Sequence, residues 1–119
     1  MSPDDVETLK KAAETVFAWM GPYHTERTYQ NALQLELGEG TTTKEEVFPI
    51  TYKYKYVGFQ RIDLTWQGHI LEIKSIAAIS KRERGQCERY LRTIRRDVAL
   101  INFSPDGVQL EVFDDKEVV

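Results

Sequence analysis

The chain contains little cysteine and no long hydrophobic run. Cys87 is the only cysteine among its 119 residues, which excludes an intramolecular disulfide and a cysteine-rich zinc site. A transmembrane helix needs about 20 consecutive apolar residues, and no segment approaches that length. Because the N-terminus also lacks a basic stretch followed by an apolar one, we expect neither a secreted nor a membrane protein. The expected location is intracellular, in the cytoplasm or the nucleus.

A basic surplus is absent as well, since the formal net charge is −3. This sum argues mildly against a general nucleic-acid-binding protein. The distribution is uneven, however: residues 81–96 contain seven basic and two acidic residues, whereas residues 1–48 contain nine acidic and four basic residues. The basic charge is therefore concentrated in one segment, which favours contact with phosphate groups over a merely solvated helix face.

Apolar periodicity and turn residues predict a single α/β domain. A helix between the third and fourth strands favours a parallel crossover, with helices covering the sheet. The predicted elements are helices from Ser2 to Met20, from about Thr25 to Leu37 and from Lys81 to Arg96, and strands Glu45–Val57, Arg61–Trp66, His69–Lys74, Val98–Phe103 and Val108–Phe113.

A hairpin is the most informative segment. Gln67-Gly68 separates two alternating strands, a typical two-residue turn signal. In this register Asp63 lies opposite Glu72, with Cβ atoms about 4.5–5.5 Å apart, and Lys74 follows on the same face. The other face would carry four apolar residues of the core: Ile62, Leu64, Leu71 and Ile73.

Two carboxylates and a lysine on one sheet face suit a divalent cation and a phosphate. The alternative is a solvated strand face with an ordinary cross-strand ion pair. Acidic residues are unfavourable in strands, and directly opposed like charges repel each other. Since such locally unfavourable choices tend to mark functional sites, we favour a functional role for Asp63, Glu72 and Lys74.

Three further groups of side chains leave alternatives open. Glu26 shares a helical stripe with Tyr29 and Leu33, so it either points towards the sheet or is a first-turn acid favoured by the helix dipole. Glu36 is the second candidate for a helix carboxylate. Tyr52, Tyr54 and Tyr56 lie on one face of the predicted strand, where sheet packing is favoured over a base-stacking platform.

This layout resembles the PD-(D/E)XK nuclease superfamily, whose signature is a helix glutamate, a strand aspartate and a Glu-x-Lys motif. The resemblance spans roughly residues 21–113 and is strongest to the GxxExxY branch. The segments that carry it are Glu26-x-x-Tyr29-x-x-Ala32-Leu33, Arg61-x-Asp63-Leu64, Leu71-Glu72-x-Lys74, Gln86-x-x-x-Tyr90-Leu91 and Leu100-Ile101-Asn102-Phe103.

The resemblance implies a restriction-endonuclease-like αβββαβ core with a mixed central sheet, an extra N-terminal helix and an extra C-terminal strand. The implied organisation is one domain, with an accessory helix in residues 1–20, a core in residues 21–113 and a tail in residues 114–119.

The resemblance also implies hydrolysis of DNA phosphodiester bonds with Mg²⁺, for which Mn²⁺ could substitute. RNA is a second possible substrate, a homodimer or partner protein is expected, and an inactive interaction or nucleic-acid-binding module is the alternative function. The implied metal ligands are Glu26, Asp63, Glu72 and the carbonyl of Ile73. The implied catalytic residues are Glu26, Asp63, Glu72, Lys74 and Gln86. The implied nucleic-acid contacts are Arg82, Arg84, Arg89, Tyr90 and Arg92.

Overall fold

Capping residues set the limits of the helices. The computed structural model describes residues 1–114. Ser2 and Asp5 form a reciprocal capping box at the start of the first helix, and Ser80 and Glu83 form another at the start of the third. Thr25 caps the second helix, which ends at Gly38, where φ is +96°. The helices are α1 (Pro3–Met20), α2 (Glu26–Leu37) and α3 (Lys81–Ile94), with a 3-10 turn at Glu39–Thr41.

Five strands form one mixed sheet in the order β1-β2-β3-β4-β5. Among the strands of residues 1–114, only the β3–β4 pair is parallel, and α3 makes the crossover between these two strands. This arrangement confirms the expected α/β class, with an N-terminal helix and a C-terminal strand added to the αβββαβ core. The strands are β1 (Thr42–Tyr52), β2 (Lys55–Trp66), β3 (His69–Lys74), β4 (Val98–Ser104) and β5 (Gly107–Phe113).

Helices cover both faces of the sheet and create two hydrophobic clusters. Every residue of β4 is buried, as expected for a continuous apolar strand in the interior of a sheet. On one face α1 and α2 pack over Leu64, Leu71 and Ile73, and on the other α3 packs over Ile70 and Leu100. Since Leu9 and Ala13 of α1 are completely buried, the N-terminal helix forms part of the main core.

The structure corrects two details of the predicted strands. Lys53 and Tyr54, both with positive φ, form the turn between β1 and β2, so the predicted strand Glu45–Val57 is divided between two strands. Ile62 belongs to the cluster under α3, whereas Leu64 belongs to the cluster under α1 and α2. The shared apolar face predicted for these two residues is therefore wrong, and the residue between them, Asp63, is left out of the pairing with β1.

Two observations concern membrane-spanning helices and the C-terminal tail. Among the described residues, no helix is long and apolar enough to cross a membrane. Apart from Asp114, the predicted tail of residues 114–119 lies outside the part of the chain that the structure describes.

Candidate active site

Asp63 lies at an irregular point of β2. The Cα pairing of β1 with β2 passes from Lys44 opposite Leu64 to Glu46 opposite Ile62, and it omits the position of Glu45 opposite Asp63. Glu45 has a φ of +56°, a conformation that is uncommon for a residue other than glycine. The unpaired position of Asp63 lies between Ile62 and Leu64, which belong to different hydrophobic clusters, and Asp63 is exposed.

The β2–β3 hairpin has the register predicted from its turn. Thr65 lies opposite Ile70 and Trp66 opposite His69, and the paired residues end there. Continued along both strands, this register brings Asp63 level with Glu72. Burial is the main cause that raises the pKa of Glu72, and the nearby charge of Asp63 adds to the increase. The two carboxylates therefore share one site, just beyond the last paired residues.

Glu72 is the most buried carboxylate of this site. Its Oε1 lies 3.3 Å from Nζ of Lys74, and the Glu72 side chain is 17% exposed. Burial raises the pKa of Glu72, although Lys74 opposes the shift, and Asp63 and Glu26 raise the pKa further. The Glu72 carboxylate therefore loses solvation on folding, and its attraction to Lys74 compensates only part of that loss.

Glu26 stands at the mouth of the site. It is the first residue of α2 and is exposed, while Tyr29, Gln30 and Leu33 on the predicted stripe are buried. Together with Lys74, Glu26 lines a cavity of about 600 Å³ whose remaining wall is the start of α3. Glu36, the other candidate, is exposed beside a different cleft against α1.

Hydrogen bonds attach the start of α2 to the end of β3. The hydroxyl of Tyr29 donates to the carbonyl of Gly21 at 2.6 Å, and its ring stacks on Phe103 with centroids 4.1 Å apart. Ser75, the residue after Lys74, donates its hydroxyl hydrogen to the carbonyl of His24 at 2.7 Å. These contacts hold the start of α2 against the end of β3, so that Glu26 and Lys74 line the same cavity.

A buried asparagine fixes the loop between β3 and α3. Oδ1 of Asn102 accepts a hydrogen bond from the backbone N–H of Ile76 at 3.0 Å, and its Nδ2 donates to the Ile76 carbonyl at 3.0 Å. The same Nδ2 donates to Oε1 of Gln109 at 2.9 Å, and that oxygen also accepts from the N–H of Ile79. Asn102 of β4 therefore positions the segment that leads into α3.

Polar side chains at the start of α3 face the cavity. Arg82, Gln86 and Arg89 line it, and Nε2 of Gln86 donates to the hydroxyl of Tyr90 at 2.8 Å. Tyr90 itself is only 4% exposed and belongs to the cluster under α3. This burial leaves almost no ring surface for the nucleic-acid contact expected of Tyr90, whose hydroxyl accepts the hydrogen bond from Gln86.

Two of the predicted arginine contacts lie away from the cavity. Arg84 makes a bidentate ion pair with Glu111 of β5, with both N–O distances at 2.8 Å. Arg92 is exposed two turns after Arg84, outside the cavity wall. The basic segment is therefore divided: Arg82 and Arg89 face the site, and Arg84 fastens α3 to the edge of the sheet.

The donor set of the site fits a hard divalent cation only in part. Carboxylate and carbonyl oxygens are the ligands that Mg²⁺ prefers, usually one or two carboxylates with water completing the shell. Asp63, Glu72 and the backbone of Ile73 match that chemistry, and the raised pKa of Glu72 marks a carboxylate that lacks sufficient positive charge. Within residues 1–114, no three His, Cys, Asp or Glu side chains converge closely enough to hold a metal alone.

Three supporting residues had no role assigned to them from the sequence. Gln30 donates from Nε2 to Oδ2 of Asp63 at 3.4 Å, Ser75 links β3 to α2, and Asn102 holds the loop before α3. Two of these residues stand out in the sequence. Gln30 is polar on a stripe that it shares with Tyr29 and Leu33, and Asn102 is a polar residue within a continuous apolar strand. Ser75 does not stand out, since an isolated serine after a strand is common in loops.

The fold and this cavity, where acidic and basic groups meet at the end of a parallel crossover, define a nuclease-type α/β domain. A family model described as the PD-(D/E)XK nuclease superfamily matches residues 3–112. The chain belongs to the PD-(D/E)XK nuclease superfamily, which supports a nuclease-type function in general terms. The match does not distinguish the GxxExxY branch, which stays a prediction. Neither a curated protein nor a solved structure matches the chain.

Proposed function

We propose that this protein is a Mg²⁺-dependent nuclease that hydrolyses phosphodiester bonds of DNA, with Mn²⁺ as a substitute. The observation that carries the proposal is the meeting of Asp63, Glu72 and Lys74 beside a cavity whose opposite wall is basic. A metal would be held by Asp63, Glu72 and the carbonyl of Ile73, with Glu26 acting directly or through water. When bound, it would supply Lewis-acid stabilisation and a water molecule of lowered pKa.

The remaining side chains would bind and orient the substrate. Lys74 would place its ammonium group against the negative charge that develops on the phosphate, and it would leave its ion pair with Glu72 to do so. The amide of Gln86, held by Tyr90, would orient a water molecule or a phosphate oxygen. Arg82 and Arg89 would contact neighbouring backbone phosphates, and such contacts position a substrate without reading its sequence.

The first turn of α3 adds to the attraction for phosphate. Ser80 and Glu83 complete the capping box at this end of the helix, and Glu83, Gly85 and Gln86 line the cavity. The dipole of a helix N-terminus favours anions. Together with Lys74, Arg82 and Arg89, this end of the helix offsets the acidic residues of the site.

Cleavage of labelled DNA tests the proposal. Single-stranded, duplex and branched DNA are incubated with Mg²⁺ or Mn²⁺, and a matched RNA serves as the competing substrate. We expect metal-dependent cutting that falls by at least about 100-fold in Lys74→Ala and Asp63→Asn. The matched controls are Lys10→Ala on the exposed face of α1 and Asp106→Asn in the β4–β5 turn, which should cut like the wild type.

The alternative is an inactive module that retains the nuclease fold. No cutting with either metal, together with no metal-induced rise in melting temperature, would overturn the proposal in favour of that module. Preferential cutting of RNA would retain the site and change the substrate. Equal loss of cutting in Lys10→Ala and Lys74→Ala would show that the effect does not arise from the site.

A further inference from the structure

The end of the β1–β2 hairpin is exposed to solvent. We call residues 47–61 the aromatic arm. Phe48 at its base is buried against α3, but Tyr52, Tyr54, Tyr56 and Phe59 are between 62% and 102% exposed. Val47 and Val57 are exposed beside them. A surface with this much uncovered aromatic area is typical of an interaction site, and sheet packing does not account for the three tyrosines.

The charge of the aromatic arm distinguishes it from the rest of the molecule. Residues 47–61 contain Lys53, Lys55 and Arg61 and no acidic residue, although the whole chain has a net charge of −3. Lysine and tyrosine alternate through the turn, and Nζ of Lys53 lies 5.3 Å from the centre of the Tyr52 ring. Aromatic rings interspersed with cations are the features by which proteins bind single-stranded nucleic acid.

The aromatic arm is also continuous with the candidate active site. Asp63 and Phe59 are on the same strand, and β2 continues to Lys55 at the turn. At about 3.3 Å per residue, the exposed aromatic residues begin about 13 Å from Asp63, and the strand ends about 26 Å from it. With stacked nucleotides rising about 3.4 Å each, this distance corresponds to roughly four to eight nucleotides.

We propose that the aromatic arm binds single-stranded nucleic acid, stacking bases on its exposed rings beside the candidate active site. The inference rests on the proposed function, because it names the form of nucleic acid that the site would receive. Single-stranded bases have free faces to stack, whereas those of a duplex already stack on each other.

Pairing with a second copy of the chain explains the surface less well. β1 is the edge strand of the sheet and would have to supply free N–H groups for strand pairing. Pro49 lacks that group, and Glu45 distorts the backbone at the base of the same strand. Both features oppose extension of the sheet across β1, while the cations of the arm provide charge complementarity to phosphate.

Binding is measured by fluorescence anisotropy with a labelled 16-nucleotide single strand in EDTA, so that no cutting is required. We expect the variant Tyr54→Ala/Tyr56→Ala to bind at least about tenfold more weakly than the wild type. Tyr54→Phe/Tyr56→Phe keeps the rings and should bind within about twofold. Lys53→Ala/Lys55→Ala should reduce the magnitude of the slope of log K against log salt concentration by about 1.4.

Several results would overturn the inference. Unchanged binding by the alanine variant, or equal weakening in the phenylalanine variant, would exclude base stacking. Tighter binding of a 16-base-pair duplex would exclude the preference for single strands. A wild-type dimer in sedimentation experiments that the alanine variant dissociates, with unchanged DNA affinity, would assign the arm to a protein interface. Absence of binding to any nucleic acid would overturn it together with the proposed function.

The two proposals can fail separately. If the wild type binds the single strand through the arm but does not cut DNA with any metal, the arm inference stands and the nuclease proposal fails. If the alanine variant cuts and binds single strands as the wild type does, the nuclease proposal stands and the arm inference fails. Thermal melting of each variant checks that these exposed substitutions leave the fold intact.

Discussion

Replacing Asn102 by leucine should separate the loop before α3 from the sheet. Asn102 is completely buried in β4, and its side chain makes three hydrogen bonds, two with the backbone of Ile76 and one with Gln109. Leucine has a similar size and no polar atoms. The substitution therefore removes these three bonds while filling most of the space.

The expected cost follows from the number of bonds and the burial of the groups left behind. Each hydrogen bond contributes about 1 kcal/mol net, and an unpaired buried polar group costs about 1–3 kcal/mol. Ile76 is half-buried and Gln109 is exposed, so water can replace part of the loss. We expect Asn102→Leu to lower the free energy of unfolding by about 2–3 kcal/mol. For a chain of this length, this corresponds to a fall in melting temperature of about 8–12 °C.

Urea unfolding measured by tryptophan fluorescence tests this estimate, because Trp66 is 3% exposed and reports on the core. The matched control is Asn31→Leu, the same chemical change at an exposed position of α2 where Asn31 accepts a hydrogen bond from Lys44. The control should cost less than about 0.5 kcal/mol. A loss below 1 kcal/mol in Asn102→Leu, or equal losses in both variants, would refute the reasoning.

Two further predictions concern titratable groups. Because burial raises the pKa of Glu72, stability should fall as the pH rises from 4.5 through the higher folded-state value. Glu72→Gln should therefore stabilise the metal-free protein at pH 7 and reduce the change of the unfolding free energy with pH, both measured by urea unfolding. An unchanged dependence on pH would contradict this prediction. Burial also raises the pKa of Cys87 to about 12, so iodoacetamide should modify this thiol only when the protein unfolds. Rapid labelling of the native protein would disprove this prediction.

The sequence allowed the fold and the hairpin register to be predicted because local signals agree there. Gln67-Gly68 fixes the turn, and the alternation on both sides allows only one pairing. The capped helices and the continuous apolar strand at β4 then require a covered sheet with a parallel crossover. The expectation that Asp63 lies level with Glu72 follows from this register alone, and the structure shows this register in the pairs Thr65–Ile70 and Trp66–His69.

Other features depend on tertiary structure and were not visible locally. The turn at Lys53–Tyr54 lacks glycine, so the strand signal continued through it and hid the aromatic arm. The positive φ of Glu45 has no sequence signature, and the position of Ile62 in the cluster under α3 was not visible in the alternation of β2. Tyr90 has the helical spacing of a site residue, and only the packing of α3 shows that it is buried.

The candidate site and the aromatic arm lie on the same strand, and each lowers the stability of the folded protein for a different reason. Near Asp63 the chain brings carboxylates together and desolvates Glu72, which costs stability until positive charge arrives. From Val47 to Arg61 it leaves apolar rings and cations uncovered, which forgoes the stabilisation that burial would provide. Under the two proposals one kind of ligand would relieve both costs, because a nucleic acid would stack its bases on the rings and the metal ion bound with it would supply the positive charge that the carboxylates lack. This shared solution supports one substrate path along β2 over two independent surfaces.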